Sequence, residues 1–188
     1  MKPAHLTALC ALVLLVPAHL HAQDRELTRE HNGSLGFFLS LGTEYSAIVD
    51  ADCVFCTGSS EGVRARSITG ANSLLDLGGT MAIGQSGSEL TLRGRLVFLS
   101  PARGESLLLG YRKYWGKDEI KTFVSAELMG TFRPVQTLGA RAGFGAMWDF
   151  SPVMGLWLDA AGTFGFGYGR RFGGELSIGF QARSYLLE

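Results

Sequence analysis

The chain has 188 residues, with 17 Lys and Arg against 17 Asp and Glu, 46% hydrophobic residues and 26 glycines. Balanced charge, with no basic block and no aromatic platform beside a cationic groove, excludes a nucleic-acid-binding reading. After Ala22 no stretch approaches 18 consecutive apolar residues, so any membrane crossing must be made by strands.

Residues 1–22 read as an export signal. Lys2 gives a positive start, Leu6 to Val16 is an apolar run too short to span a bilayer, and Pro17 breaks it. Leu20-His21-Ala22 offers a cleavage site before Gln23. Losing Lys2 leaves 16 basic and 17 acidic residues, a mature net charge of −1. What remains is one domain by size. Residues 23–32 are charged and polar, with nothing to bury, and form a periplasmic lead-in; the folded unit is expected over 33–188.

The first strand is expected over Ser34 to Ser46, where Leu35, Phe37, Leu39, Leu41, Thr43 and Tyr45 face one way and Gly36, Phe38, Ser40, Gly42 and Glu44 the other. Residues 49–71 form the one long connection, rich in Ser, Gly, Asp and Thr, with 62–68 as a candidate extension of the next hairpin. Alternation resumes at Ser73, with Asp76 on the less apolar face, and residues 85–88 make a tight turn. From Glu89 to Leu99, Glu89, Arg93 and Arg95 share a face against Leu90, Leu92, Leu96 and Phe98. After a turn at 100–104, Leu107, Leu109, Tyr111 and Lys113 oppose Arg112 and Tyr114, ending near Trp115. From Thr122 to Phe132, Glu127 lies opposite an apolar row.

Thr137 to Phe150 shows the design best. Leu138, Ala140, Ala142, Phe144, Ala146, Trp148 and Phe150 make a wholly apolar row against Gly139, Arg141, Gly143, Gly145, Met147 and Asp149. Three glycines in seven residues, each costing about 1 kcal/mol in a helix interior, argue against the helical alternative. Leu156 to Tyr168 follows with Asp159 on the small-residue face. Residues 169–174, with Arg170 and Arg171, make the last turn, and Glu175 and Arg183 lie opposite Leu176, Ile178 and Phe180. Eight strands of such length, each with two unlike faces, predict an all-β, eight-stranded antiparallel up-and-down transmembrane β-barrel.

A soluble, lipocalin-like barrel has the same period with its apolar face turned inward. The content of the less apolar face separates the two. It carries small residues, the acids Glu44, Asp76, Glu89, Glu127, Asp149, Asp159 and Glu175, and the arginines Arg93, Arg95, Arg112, Arg141 and Arg183, with no lysine among those charges. That is the chemistry of a narrow interior in which buried charges pair and the guanidinium fork suits a carboxylate. On the apolar face Lys113 is the one charge, near a strand end from which it can snorkel. Tyr45, Trp115, Trp148, Phe150 and Tyr168 are expected at strand ends, as an aromatic girdle requires.

In this architecture the chain resembles the small eight-stranded outer-membrane barrels of the OmpA/OmpX type. Ser177-Ile178-Gly179-Phe180-Gln181-Ala182 is similar to the signal by which the barrel assembly machinery recognises such proteins, departing from it in ending on Ala, with Leu187-Glu188 at the chain end. The resemblance implies residence in the outer membrane of a Gram-negative bacterium, lipid around the barrel and assembly by that machinery. It also invites comparison with barrel enzymes that modify lipids by a His-led constellation. Only His31 survives cleavage, next to no Ser and carboxylate partner, so no catalytic residue is assigned.

Cys53 and Cys56 flank Val54-Phe55 in the long connection. A disulfide is the favoured reading in an exported protein; free thiols or half a metal site remain open, and no metal or cofactor is called. The function expected is a non-conducting outer-membrane barrel with a structural or surface-interaction role, the first loop being the contact surface for a partner. The alternatives are a carrier of small apolar molecules, a lipid-modifying enzyme and a secreted binding barrel. A lateral gap in the wall favours the carrier; a closed ring of backbone pairing favours the structural reading.

Overall fold

The computed structural model describes residues 33–52, 64–83, 87–98, 104–116, 119–133 and 136–185, with only the backbone course for 50–52 and 64–68. Eight strands follow in order: β1 Ser34–Asp52, β2 Arg64–Ala82, β3 Ser88–Phe98, β4 Gly104–Trp115, β5 Ile120–Arg133, β6 Thr137–Ser151, β7 Met154–Gly167 and β8 Arg170–Tyr185. Each pairs antiparallel with the next, and β1 pairs with β8 from Ser34↔Tyr185 to Val49↔Arg170, so the sheet closes into a barrel with no lateral gap.

The register fixes the barrel's shape. From Phe37 the pairs run through Gly79, Leu92, Leu109, Leu128, Ala140, Phe164 and Phe172 and return to β1 at Ala47, ten residues further along. Eight strands with that stagger tilt by about 40° to the barrel axis, and their interior is just wide enough for side chains. Along β5, burial alternates without interruption from Lys121 to Met129, so the apolar row faces out and the small or charged row faces in. The outward row is a continuous belt of Leu, Phe, Ile, Val and Tyr, half exposed on a molecule whose buried side chains are mostly polar. That inversion of a water-soluble protein is what lipid around the barrel requires.

Termini and short turns gather at one end. Gly87 (φ 61°) and Gly116 (φ 107°) take left-handed backbone there, and the Tyr114 N–H donates to the Gly87 carbonyl at 2.8 Å. At the other end the sequence reading needs correction. The connection expected over 49–71 is shorter, because β1 runs on to Asp52 and β2 begins at Arg64. β2 meets β3 only from Ser73↔Phe98, so residues 64–72 rise beyond their neighbour. Nine residues at that tilt carry the β1–β2 hairpin about 20 Å further out. The candidate extension over 62–68 covers the first part of this, with 64–68 in strand, while the polar composition of 69–72 reads as loop.

The last turn also differs. Residues 169–174 were expected to turn, but β8 starts at Arg170, leaving only Tyr168 and Gly169 between strands. Tyr45, expected at a strand end, lies seven residues before the end of β1, level with Gly174. Trp115, Trp148 and Phe150 stand at or near strand ends on the turn side, Tyr168 follows β7 at the opposite rim, and all four are exposed. The export signal, the lead-in, Cys53 and Cys56 lie outside the described residues.

Candidate functional site

The interior of the barrel is the chemically distinctive region, and strand alternation fills it. Every second residue points inward, and one inward cross-strand pair on each of the β2–β3, β3–β4 and β5–β6 ladders matches an acid with an arginine: Asp76↔Arg95, Glu89↔Arg112 and Glu127↔Arg141. Such pairs put opposite charges within reach before any cross-lumen contact forms.

At mid-height the charges close into a ring. Arg93 donates to Asp76 at 3.0 Å and to Glu127 at 2.9 Å. Arg95 grips both oxygens of Asp76 at 2.8 and 2.9 Å and reaches across to Glu175 at 2.5 and 3.1 Å. Arg141 donates Nε to Glu175 and lies 3.3 Å from Glu127, completing the circuit Asp76, Arg93, Glu127, Arg141, Glu175, Arg95. It also pairs with Asp159 and donates to the Ser125 hydroxyl at 3.2 Å. The circuit and its Asp159 branch tie together β2, β3, β5, β6, β7 and β8. All three guanidiniums are fully buried, where two-pronged pairing offsets a desolvation cost that one contact would not.

Toward the terminal end an aromatic layer lies beneath the ring. Phe38, Phe123, Trp157, Tyr114 and Met147 pack as one buried cluster. Phe38, Phe123 and Trp157 each stand opposite a glycine of the next strand, in the pairs Phe38↔Gly78, Phe123↔Gly145 and Trp157↔Gly179. A Cβ at any of these glycines would come within 2.5 Å of the ring lying over it. The inward glycines are thus the space into which the aromatics fold. Arg112 stacks at 4.6 Å over Phe123 and 5.1 Å from Trp157, and donates to the Tyr114 oxygen at 3.0 Å; Tyr114 in turn donates to Glu89 at 3.1 Å.

Two basic residues that the sequence reading left out complete the set. Lys121 is 3% exposed and lies 2.9 Å from Asp149, which Arg183 also holds at 2.9 Å. Hence the inward charges do include a lysine, at the first inward position of β5, where its stem reaches inward from the rim. Arg171, assigned to a turn by composition, is the first inward residue of β8 and clasps Glu44 at 2.6 and 2.7 Å. Both escaped because each lies at a strand boundary, where alternation has too few residues to register. With them, the buried charges among the described residues are seven acids (Glu44, Asp76, Glu89, Glu127, Asp149, Asp159, Glu175) and seven bases (Arg93, Arg95, Arg112, Lys121, Arg141, Arg171, Arg183). Lys113, on the outward side, is half-buried with its Nζ 3.4 Å from the Ser88 hydroxyl.

The arrangement is suited to filling space. Asp76, Glu127, Asp159 and Glu175 all face arginines, and no group of three or more His, Cys, Asp or Glu is placed to hold a metal among the described residues.

No protein-family profile and no curated protein matches the sequence. Solved structures do. A de novo designed transmembrane β-barrel superposes with a TM-score of 0.52 at 15% identity, covering 81% of this chain and 96% of that one. Neisserial surface protein A superposes with a TM-score of 0.51 at 13% identity, covering 78% and 96%. At such identities the likeness speaks for architecture alone, and the architecture is that of an eight-stranded, antiparallel up-and-down transmembrane β-barrel.

Proposed function

We propose that the protein is a non-conducting barrel of the outer membrane, with the projecting β1–β2 hairpin as its contact surface for a partner outside the cell. The observation that carries this reading is the filled lumen: seven acids and seven bases lie buried over an aromatic layer, so an ion would have to displace paired charges to pass. The export signal and the outward apolar belt support residence in the outer membrane, exposed to lipid and inserted by the assembly machinery. With the termini periplasmic, the hairpin points outward, and it is the longest projection among the described strands. The continuous ladder between β1 and β8 favours this reading over a lateral carrier. Trp115, Trp148, Phe150 and Tyr168 serve as interfacial anchors.

The test is planar-bilayer recording of the reconstituted full chain. The expected record is a flat baseline with no stable single-channel steps, from protein that shows heat-dependent gel mobility. Large, stable conductance from that same folded protein overturns the reading.

A further inference from the structure

The outer wall is not uniformly convex. Between β1, β6, β7 and β8 lies a groove of about 510 Å³, floored by Ala142, Ala160, Gly162 and Gly174 and rimmed by Tyr45 and Phe144. The floor is one cross-strand row and its neighbour, since Ala142 pairs with Gly162, Gly162 with Gly174 and Gly174 with Tyr45. Packing within the barrel does not account for the two glycines. A Cβ at Gly174 would meet nothing within 4 Å, and one at Gly162 would only graze the Gly173 carbonyl at 4.0 Å. Their effect, with Ala142 and Ala160 beside them, is to deepen the wall at this place.

We propose that this groove seats an acyl chain of an anionic membrane lipid, whose head group is held by Arg170. Two observations select that occupant. The first is charge: Arg170 stands exposed at the start of β8, on the same outward row as Gly174 and about 13 Å from it along the strand. Its cross-strand neighbours are Val49 and Phe166, neither of them an acid. A cation at the loop-end rim above an apolar trough matches a lipid with a negative head and a chain running toward the bilayer centre. The second is shape. A symmetric dimer needs a self-complementary surface, and two such troughs placed face to face would enclose a void. The groove lies outside the closed wall, so the site is for a resident lipid and gives no path through the barrel.

The proposal rests on the barrel being embedded in a membrane, which heat-dependent gel mobility of each sample checks separately. The experiment places the full chain in phosphatidylcholine vesicles with a trace of spin-labelled phosphatidylglycerol or spin-labelled phosphatidylcholine, and reads the motionally restricted fraction by electron paramagnetic resonance. For the native protein, phosphatidylglycerol is expected to be restricted about fivefold more strongly than phosphatidylcholine. Arg170→Gln should remove that preference, and Gly162→Leu with Gly174→Leu should shrink the restricted fraction for both lipids. Equal restriction of the two lipids by the native barrel, or no change on filling the groove, overturns the proposal. So does a native dimer that the leucine variant converts to monomer, which would assign the trough to a second copy.

Discussion

Arg141 touches Glu127, Asp159 and Glu175 from one guanidinium, so its removal takes the arginine from Asp159 and one of two arginines from Glu127 and Glu175, which keep Arg93 and Arg95. Breaking a buried pair from one side typically costs about 3–5 kcal/mol, and Arg141→Met is expected to lose at least that much in urea unfolding from phospholipid vesicles. Lys121→Met is the contrast. Asp149 keeps Arg183, so its carboxylate is not left without a cation, and a loss of about 1 kcal/mol, that of a single hydrogen bond, is expected in the same assay. Equal losses would mean that the ring has no special weight. The inward glycines carry a steric prediction of the same kind. Gly145→Ala drives a methyl into the Phe123 ring, an overpacking that costs about 1–3 kcal/mol. Gly174→Ala, on the lipid side with open space, should change stability by less than about 0.5 kcal/mol.

The β1–β2 hairpin separates what the barrel needs from what projects beyond it. β8 pairs with β1 as far as Val49, whereas β2 has no β3 partner before Ser73. Replacing residues 50–66 by Asn-Gly, which suits a two-residue hairpin turn, removes the tip and its strand extension while leaving the closing ladder whole. The shortened protein is expected to keep its heat-dependent mobility and, within error, its urea midpoint, while losing any binding to a surface partner. A barrel that no longer folds would show that the extension contributes to closure. The same element marks where the sequence is legible. Inside the bilayer one face must be apolar and the other packed, so strand faces from Leu35 to Ala182 can be read by period two. Beyond the end of β3 that contrast of faces is missing from the sequence, and most of strand 64–72 looks like loop by composition. The direct pairs Asp76↔Arg95 and Glu127↔Arg141 follow once strand order is assumed. The reach of Arg95 to Glu175 does not, because it depends on the shear of the closed barrel, which no local pattern encodes. Likewise the groove at Gly162 and Gly174 appears only when β7 and β8 are set in register.

At the scale of the whole molecule, the usual division of labour between core and surface is exchanged. Lipid surrounds the apolar residues, so sequestering apolar surface from water is shared with the membrane, and the lumen is left to hold the cylinder's shape. Salt dependence tests this. If stability rested on exposed pairs, raising ionic strength past a Debye length of about 8 Å at 0.15 M would weaken it. The ring charges are fully buried and the inward set is neutral, so mobile ions have neither access nor a net field to screen. Urea unfolding in neutral-lipid vesicles is therefore expected to give midpoints that barely move between low salt and several hundred millimolar sodium chloride. A steep fall would mean that water and ions already penetrate the ring. The lumen would then be a wet channel held shut only by attraction, and the same high-salt condition should let current through it.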